Sequence, residues 1–507
     1  MTTTTPHPLV RPLDAANQAL LQAVHPSDWE NPEPRDVYDL VVVGGGTAGL
    51  VSAVGAAGLG ACVALVERGL LGGDCLNVGC VPSKALIRSA RAIAEARRAS
   101  RIGVRIGPVE ADFPAIMRRM RERRAGISVN DSVQRLQRAG VDVFLGSGAF
   151  TSARTLEVAG RTLKFNRAVV ATGGRPIAPP VPGLDGIPFL TNETVFWLTE
   201  LPPRLIVVGA GPIGCELAQA FARFGSEVTL LGRPPHVLPN EDADAAAIVQ
   251  RQLLEDGVRL ELGVQLVEAT SDAAGVRIRY ERRDGAGSGA AGGDQILVAA
   301  GRAPNIEGLG LDAAGVAVTK AGVVVNDRMQ TSNRRIYAAG DVCSKYKFTH
   351  AADAMARIVI QNALFYGRKR ASALVVPWCT YTDPEIAHVG MYEAEARQKG
   401  HDVKTITIEL AEVDRAVLDE EAEGFVRLHH VGGRLLGCTI VAAHAGDLIG
   451  EASYVVTHGG SLGDLAATIH PYPTQAEALK KAGDAYRRGL LTPSVKRWFE
   501  RYFRWTR

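Results

Sequence analysis

Cysteine is scarce in this chain and mostly scattered: seven residues, at 62, 75, 80, 215, 343, 379 and 438, over 507 positions. That odd, thin count excludes the disulfide framework of a small secreted domain and fits a reducing compartment with one functional pair. Charge of one sign is lacking too, since 57 Lys and Arg face 54 Asp and Glu for a net +3. No nucleic-acid partner is expected from that balance, and an aromatic content of 6% offers little for base stacking. The opening MTTTTPHPLVRPLD has no apolar leader core, so a cytoplasmic location is expected. One long apolar run exists, Leu40–Val66, with no charge over 27 residues. It holds seven glycines and reads as strand, turn, helix and strand. A buried parallel βαβ unit is apolar throughout, so no transmembrane segment is expected.

What is present is a repeated dinucleotide-binding pattern. VYDLVVVGGGTAGL opens at Val37 and runs into Gly44-x-Gly46-x-x-Gly49; the next strand, VALVE, ends at Glu67, 23 residues after Gly44. Such glycines permit a tight turn and close approach of a pyrophosphate to a helix N-terminus, and the acid reaches a ribose hydroxyl. The pattern returns 165 residues later as Gly209-x-Gly211-x-x-Gly214, so two dinucleotides are expected. In the second copy the acid is replaced by Gly232, followed by Arg233. No carboxylate then repels a 2′-phosphate and Arg233 can pair with it, which predicts NADPH over NAD.

Between the copies lies GGDCLNVGCVPSK, residues 72–84. On a regular helix the spacing of Cys75 and Cys80 would part their Cα atoms by about 8–9 Å. A disulfide needs roughly 4.4–6.8 Å, so a bonded pair requires a distorted backbone. Gly72, Gly73, Asn77 and Gly79 supply that freedom. A helix N-terminus also favours a thiolate. A bare C-x4-C is equally readable as two buried structural cysteines.

The segment as a whole resembles the redox motif of the class I pyridine nucleotide–disulfide oxidoreductases, which include lipoamide dehydrogenase, glutathione reductase and mercuric reductase. The resemblance implies an α/β fold: two Rossmann-like dinucleotide-binding domains, for FAD and NADPH, and a C-terminal α+β dimerisation domain. The implied boundaries are an extension and linker at 1–36, an FAD-binding domain at 37–188 and 311–370, an NAD(P)H-binding domain at 189–310, and a dimerisation domain at 371–507. It implies a homodimer and hydride flow from NADPH through FAD to a Cys75–Cys80 disulfide, with Cys75 the interchange thiol and Cys80 in contact with the flavin. Lys84 and Glu216 match a Lys–Glu pair beside the flavin. Gly73, Thr172 and Gly173 of RAVVATGGRP, Gly301 of ILVAAGRAPN and Asp341 of IYAAGDV join the cofactor-binding set. Pro212 stands where glutathione reductase has a tyrosine gate.

The family members differ around IHPYPTQAEALKKAG, residues 469–483. Lipoamide dehydrogenase and glutathione reductase carry a catalytic His-Pro-Thr with a Glu five residues after the histidine. Matching Pro473, Thr474 and Glu477 puts Tyr472 at the histidine's place, with His470 two residues earlier. A phenol is a poor proton shuttle near neutral pH, which compromises ordinary disulfide reduction. Mercuric reductase has a Pro-Tyr here, like Pro471-Tyr472. The implied electron acceptor is therefore Hg(II), held transiently by Cys75 and Cys80. Against this, the sequence shows no cysteine after Cys438 and no N-terminal CxxC, so metal delivery would be direct. The alternatives are an NADPH-dependent disulfide or quinone reductase using His470 as base, and a non-catalytic flavin redox sensor.

Three segments carry weaker expectations. The Arg-rich stretch 88–124 reads as a solvated helical face, and DGAGSGAAGGD, 284–294, as a flexible hairpin loop. Cys379 and Cys438 read as core residues. The tail KRWFERYFRWTR is an amphipathic basic helix, expected to dock on the protein's own surface, with a membrane surface or a partner as the alternative.

Overall fold

The computed structural model describes residues 10–507; residues 1–9, on which the leader reading partly rests, lie outside the described residues. The chain forms two compact units. Stretches up to 94, 109–235 and 257–374 make the first, and 95–108, 236–256 and 375–507 the second.

The first unit carries both glycine motifs. Its larger sheet has a parallel core formed by β1 (Tyr38–Val43), β2 (Val63–Glu67), β3 (Val141–Leu145), β4 (Arg161–Val170) and a late strand, Ile336–Ala338. Their order is β3-β2-β1-β4, with the late strand beside β4, and all these pairings are parallel. Leu40, Val41, Val42, Ala64 and Leu65 are wholly buried, which explains a strand sequence with no polar alternation. The second sheet repeats the arrangement with β5 (Arg204–Val208), β6 (Glu227–Gly232), β7 (Arg259–Leu262) and β8 (Gln295–Val298), in the parallel order β7-β6-β5-β8.

Each first strand turns into a helix, α1 (Thr47–Gly58) after β1 and a helix over Pro212–Phe224 after β5. Gly44 has φ +107°, and a Cβ there would lie 2.4 Å from the Ala171 oxygen. A Cβ on Gly49 would lie 1.8 Å from the Gly44 oxygen. The first glycine is needed for the turn and the third for helix against strand, as the motif requires.

Three sequence expectations are corrected in this unit. The tract 284–294 is not all loop: Ser288–Gly293 is a strand antiparallel to Gly275–Arg282. Gly289 pairs with Tyr280, whose hydroxyl oxygen would lie 2.6 Å from a Cβ there, so the small residues accommodate an aromatic ring. The extension is not a free linker either. Its helix Ala15–Val24 buries Asn17, Leu20 and Val24, the His25 ring meets the Gly69 oxygen at 2.6 Å, and the Trp29 indole donates to Val143. Finally, the Arg-rich face is only partly solvated. Arg121 and Arg124, on the helix Phe113–Ser128, are buried because the extension supplies acceptors.

The second unit is built on a five-stranded antiparallel sheet. In spatial order its strands are Trp378–Thr380, Glu385–Gly390, Arg434–Ala442, Phe425–Val431 and Lys404–Glu409. Leu428, Cys438 and Ile440 form its core with Leu465, Leu479 and Ala482 from the helices. Cys438 is a core residue, as expected. The helix Pro493–Thr506 buries none of its residues, so the expected docking of the tail on the protein's own surface is not found. The helix Glu477–Gly489 already fills the core face with Ala478, Leu479 and Ala482. Among the described residues no helix is long and apolar enough to cross a membrane.

Candidate active site

The two close cysteines flank a break between helices. A short helix, Gly73–Asn77, gives way at Val78 (φ −141°), and a 19-residue helix starts at Cys80. This is the departure from regular helix that a bonded pair at this spacing would require. Asn77 holds the bend, its side-chain amide donating to the Leu71 and Gly73 carbonyls at 3.0 and 2.9 Å.

Cys75 and Cys80 are free thiols hydrogen-bonded to one another. Cys80 Sγ also lies 3.4 Å from the Thr349 hydroxyl oxygen. The hydrogen bond from Cys75 pulls Cys80 down to about 6, and Thr349 and the Lys84 cation add to the pull against desolvation. Cys75 is pushed far up by the same hydrogen bond and by burial. The pair therefore shares one proton over a wide pH range, with the negative charge on Cys80 at the head of a helix. Lys84, one turn on, pairs with the buried Glu216 at 2.8 Å. That contact ties the redox helix to the helix that follows the second glycine motif.

The first glycine motif and its acid suit a dinucleotide. Glu67 ends β2 and accepts from the backbone N–H of Gly45 at 2.5 Å and of Gly69 at 2.6 Å; burial pushes its carboxyl up. The bare turn Gly44–Gly49 at the head of α1 and this acid suit the ADP half of FAD. A Cβ on Gly73 would lie 2.7 Å from Gly46 Cα, so the redox segment touches that turn. Asp341 is also raised by burial, against the pull of Arg302 and Lys347, and suits a sugar hydroxyl. Thr172 and Gly173 meet Asn305: the Thr172 hydroxyl donates to the Asn305 oxygen at 2.6 Å, and the Asn305 N–H to the Gly173 oxygen at 3.0 Å. The ATG and GRAPN segments are thus laced together.

The second motif opens on a cleft of about 210 Å³ lined by Gly211, Pro212, Ile213, Asn192, Ala300 and Gly301. It lies at the N-terminus of the helix Pro212–Phe224, which suits a nicotinamide dinucleotide. Gly209 and Gly214 repeat the close packing of the first motif, with a Cβ on Gly214 falling 1.9 Å from the Gly209 oxygen. Gly232 is buried against Leu262 and Ala210, while Arg233 is exposed and makes no ion pair among the described residues.

His470, Tyr472 and Glu477 belong to the second unit, and the cysteines to the first. The Tyr472 side chain is 70% exposed and donates to Asp414 at 2.9 Å. That hydrogen bond and the nearby Asp414 charge raise its pKa further. His470 faces Glu451 at 2.9 Å through Nε2 and the Thr468 oxygen at 3.2 Å through Nδ1. Glu477 starts its helix with a buried Oε2 that has no hydrogen-bond partner among the described residues.

Sequence reasoning missed Arg302, Thr349 and Arg124. Arg302 pairs with Asp74 and donates to the Gly174 oxygen at 3.0 Å. It stood inside the GRAPN motif and was readable there. Thr349 opens the helix that faces the redox pair. Arg124 had no signal to separate it from its arginine neighbours.

The family model described as pyridine nucleotide-disulphide oxidoreductase matches residues 38–356, and that of the same family's dimerisation domain matches 376–483. A mercuric reductase of Lysinibacillus sphaericus is 36% identical over 478 residues, 93% of this chain and 87% of the relative. A dihydrolipoyl dehydrogenase of Thermus scotoductus is 35% identical over 467 residues, 88% of this chain and 97% of the relative. The HOCl-induced flavoprotein disulfide reductase RclA from Escherichia coli superposes with a TM-score of 0.78 at 28% identity, covering 88% of this chain and 99% of that one.

Proposed function

Because the chain belongs to the pyridine nucleotide-disulphide oxidoreductase family, we propose that it is an NADPH-dependent oxidoreductase that reduces Hg(II) to Hg(0). The family uses FAD and NAD(P)H, and its dimerisation domain supports a homodimer. FAD, when bound, supplies two-electron exchange between nicotinamide and sulfur.

The observation that carries the mercury reading is Tyr472. A phenol raised further by Asp414 is a poor proton donor to a leaving thiolate near neutral pH. Reduction of Hg(II) needs no such donor: two electrons convert the ion to the metal, and soft thiolates hold it meanwhile. The chain's own residues suit that task. Cys80 offers a ready thiolate, Cys75 gives up its proton as it ligates, and Lys84 stabilises negative charge beside them. In sum, NADPH and Hg(II) give NADP⁺, Hg(0) and one proton. The exposed Arg233 and the absence of an acid at Gly232 support NADPH as the donor.

A second reading, reduction of a small disulfide, is favoured by His470, whose contact with Glu451 makes a His–carboxylate pair two residues before Tyr472.

The deciding experiment is NADPH oxidation by FAD-loaded protein with Hg(II) in excess thiol, beside Cys75→Ala. Rapid oxidation that releases volatile mercury and is lost in the variant supports the proposal. Flavin reduction by NADPH with only background oxidation overturns it, and turnover with lipoamide or glutathione disulfide then identifies the second reading.

A further inference from the structure

The helix Pro493–Thr506 lies beyond the matched dimerisation domain, which ends at residue 483. At 100° per residue, Val495, Trp498, Phe499, Tyr502, Phe503 and Trp505 fall on one arc without a charge. Lys496, Arg497, Arg501 and Arg504 fill the opposite arc with a single acid, Glu500. The helix is well founded: the Thr492 hydroxyl caps its N-terminus and Pro493 occupies its first turn. Yet nothing in it is buried, and Trp498 and Trp505 are 61% and 84% exposed. None of its cations forms an ion pair among the described residues. The preceding segment adds exposed Arg487, Arg488, Leu490 and Leu491.

An aromatic face that bulky is costly to leave in water. A protein groove would accept its apolar side but leave the cations without partners. An anionic lipid surface answers both halves: indole and phenol rings settle at the headgroup level, and the guanidinium groups meet phosphates. We propose that the helix Pro493–Thr506 is an interfacial anchor that seats this oxidoreductase on an anionic phospholipid bilayer, lying in the surface without crossing it.

The test is flotation of full-length, FAD-loaded protein with vesicles of phosphatidylglycerol and phosphatidylcholine against phosphatidylcholine alone. Two variants accompany it, one ending at Gly489 and one carrying Trp498→Ala and Trp505→Ala. Flavin retention and NADPH-dependent flavin reduction verify that both are folded. Binding to the anionic vesicles is expected to exceed binding to the neutral ones by about tenfold or more, to fall on raising the salt, and to vanish in both variants. No preference for anionic vesicles in the full-length protein overturns the proposal. So does equal binding by the protein ending at Gly489. A smaller mass in solution on truncation, with no vesicle binding by the full chain, overturns it in favour of an interface between copies.

Discussion

Arg124 donates to the backbone oxygen of Asn77 at 2.7 Å, so a buried guanidinium holds the chain between the two redox cysteines. Its other arm donates to the Asn17 side-chain oxygen at 2.6 Å, joining the N-terminal extension to the redox loop. Arg124→Leu leaves two acceptors in a site where Arg124 is only 2% exposed. The expected cost is roughly 1–3 kcal/mol for each acceptor left unpaired. Chemical denaturation followed by flavin release should show an earlier midpoint, and a smaller loss for Asn17→Ala. An unchanged midpoint in Arg124→Leu would show that the contact holds nothing together.

The reduced pair should titrate as one thiolate. Cys80 is held near 6 chiefly by the Cys75 hydrogen bond, so its alkylation rate should rise with pH through about 6 as the thiolate fills. In Cys75→Ala the donor is gone and the midpoint should move up, towards the ordinary thiol value of about 8.5. Iodoacetamide kinetics on both proteins read this directly. A midpoint that stays put would mean that Lys84 and Thr349 set the charge instead.

Arg233 is exposed beside the second motif's strand end. If it pairs with the 2′-phosphate, Arg233→Ala should raise KM for NADPH by about tenfold, the weight of one charge-assisted contact, and leave KM for NADH unchanged. Equal effects on the two donors would remove Arg233 from the specificity argument.

Tyr472 and Glu477 offer a gain-of-function test. The Glu477 Oε2 is buried without a partner among the described residues, and its charge acts on Tyr472. Tyr472→His puts an imidazole, which titrates in the useful range, within the field of that carboxylate. Disulfide reduction should rise by about 10²-fold, the lower end of general acid catalysis, while flavin reduction by NADPH is unchanged. No gain with any disulfide would indicate that the position does not act as the proton donor.

Much was legible in the sequence because local geometry dictated it. The strand–glycine–helix turns need Gly44 and Gly49 for reasons confined to a few residues of backbone, and the spacing of Cys75 and Cys80 called for a helix break if the two were to bond. Tyr472 could be set against the family's histidine by matching Pro473, Thr474 and Glu477. What tertiary structure decided depends on neighbours distant in sequence. Arg124 is an ordinary arginine in an Arg-rich helix until Asn17 and Asn77 close on it. The Gly- and Ala-rich tract becomes a strand because Tyr280 stands opposite Gly289. The thiolate on Cys80 gains support from Thr349, on a helix more than 260 residues away, which sits 3.4 Å from its sulfur. The amphipathic pattern of the last helix was visible from its residues, but only the tertiary structure showed that its aromatic face is left open, because the helix Glu477–Gly489 already fills the core.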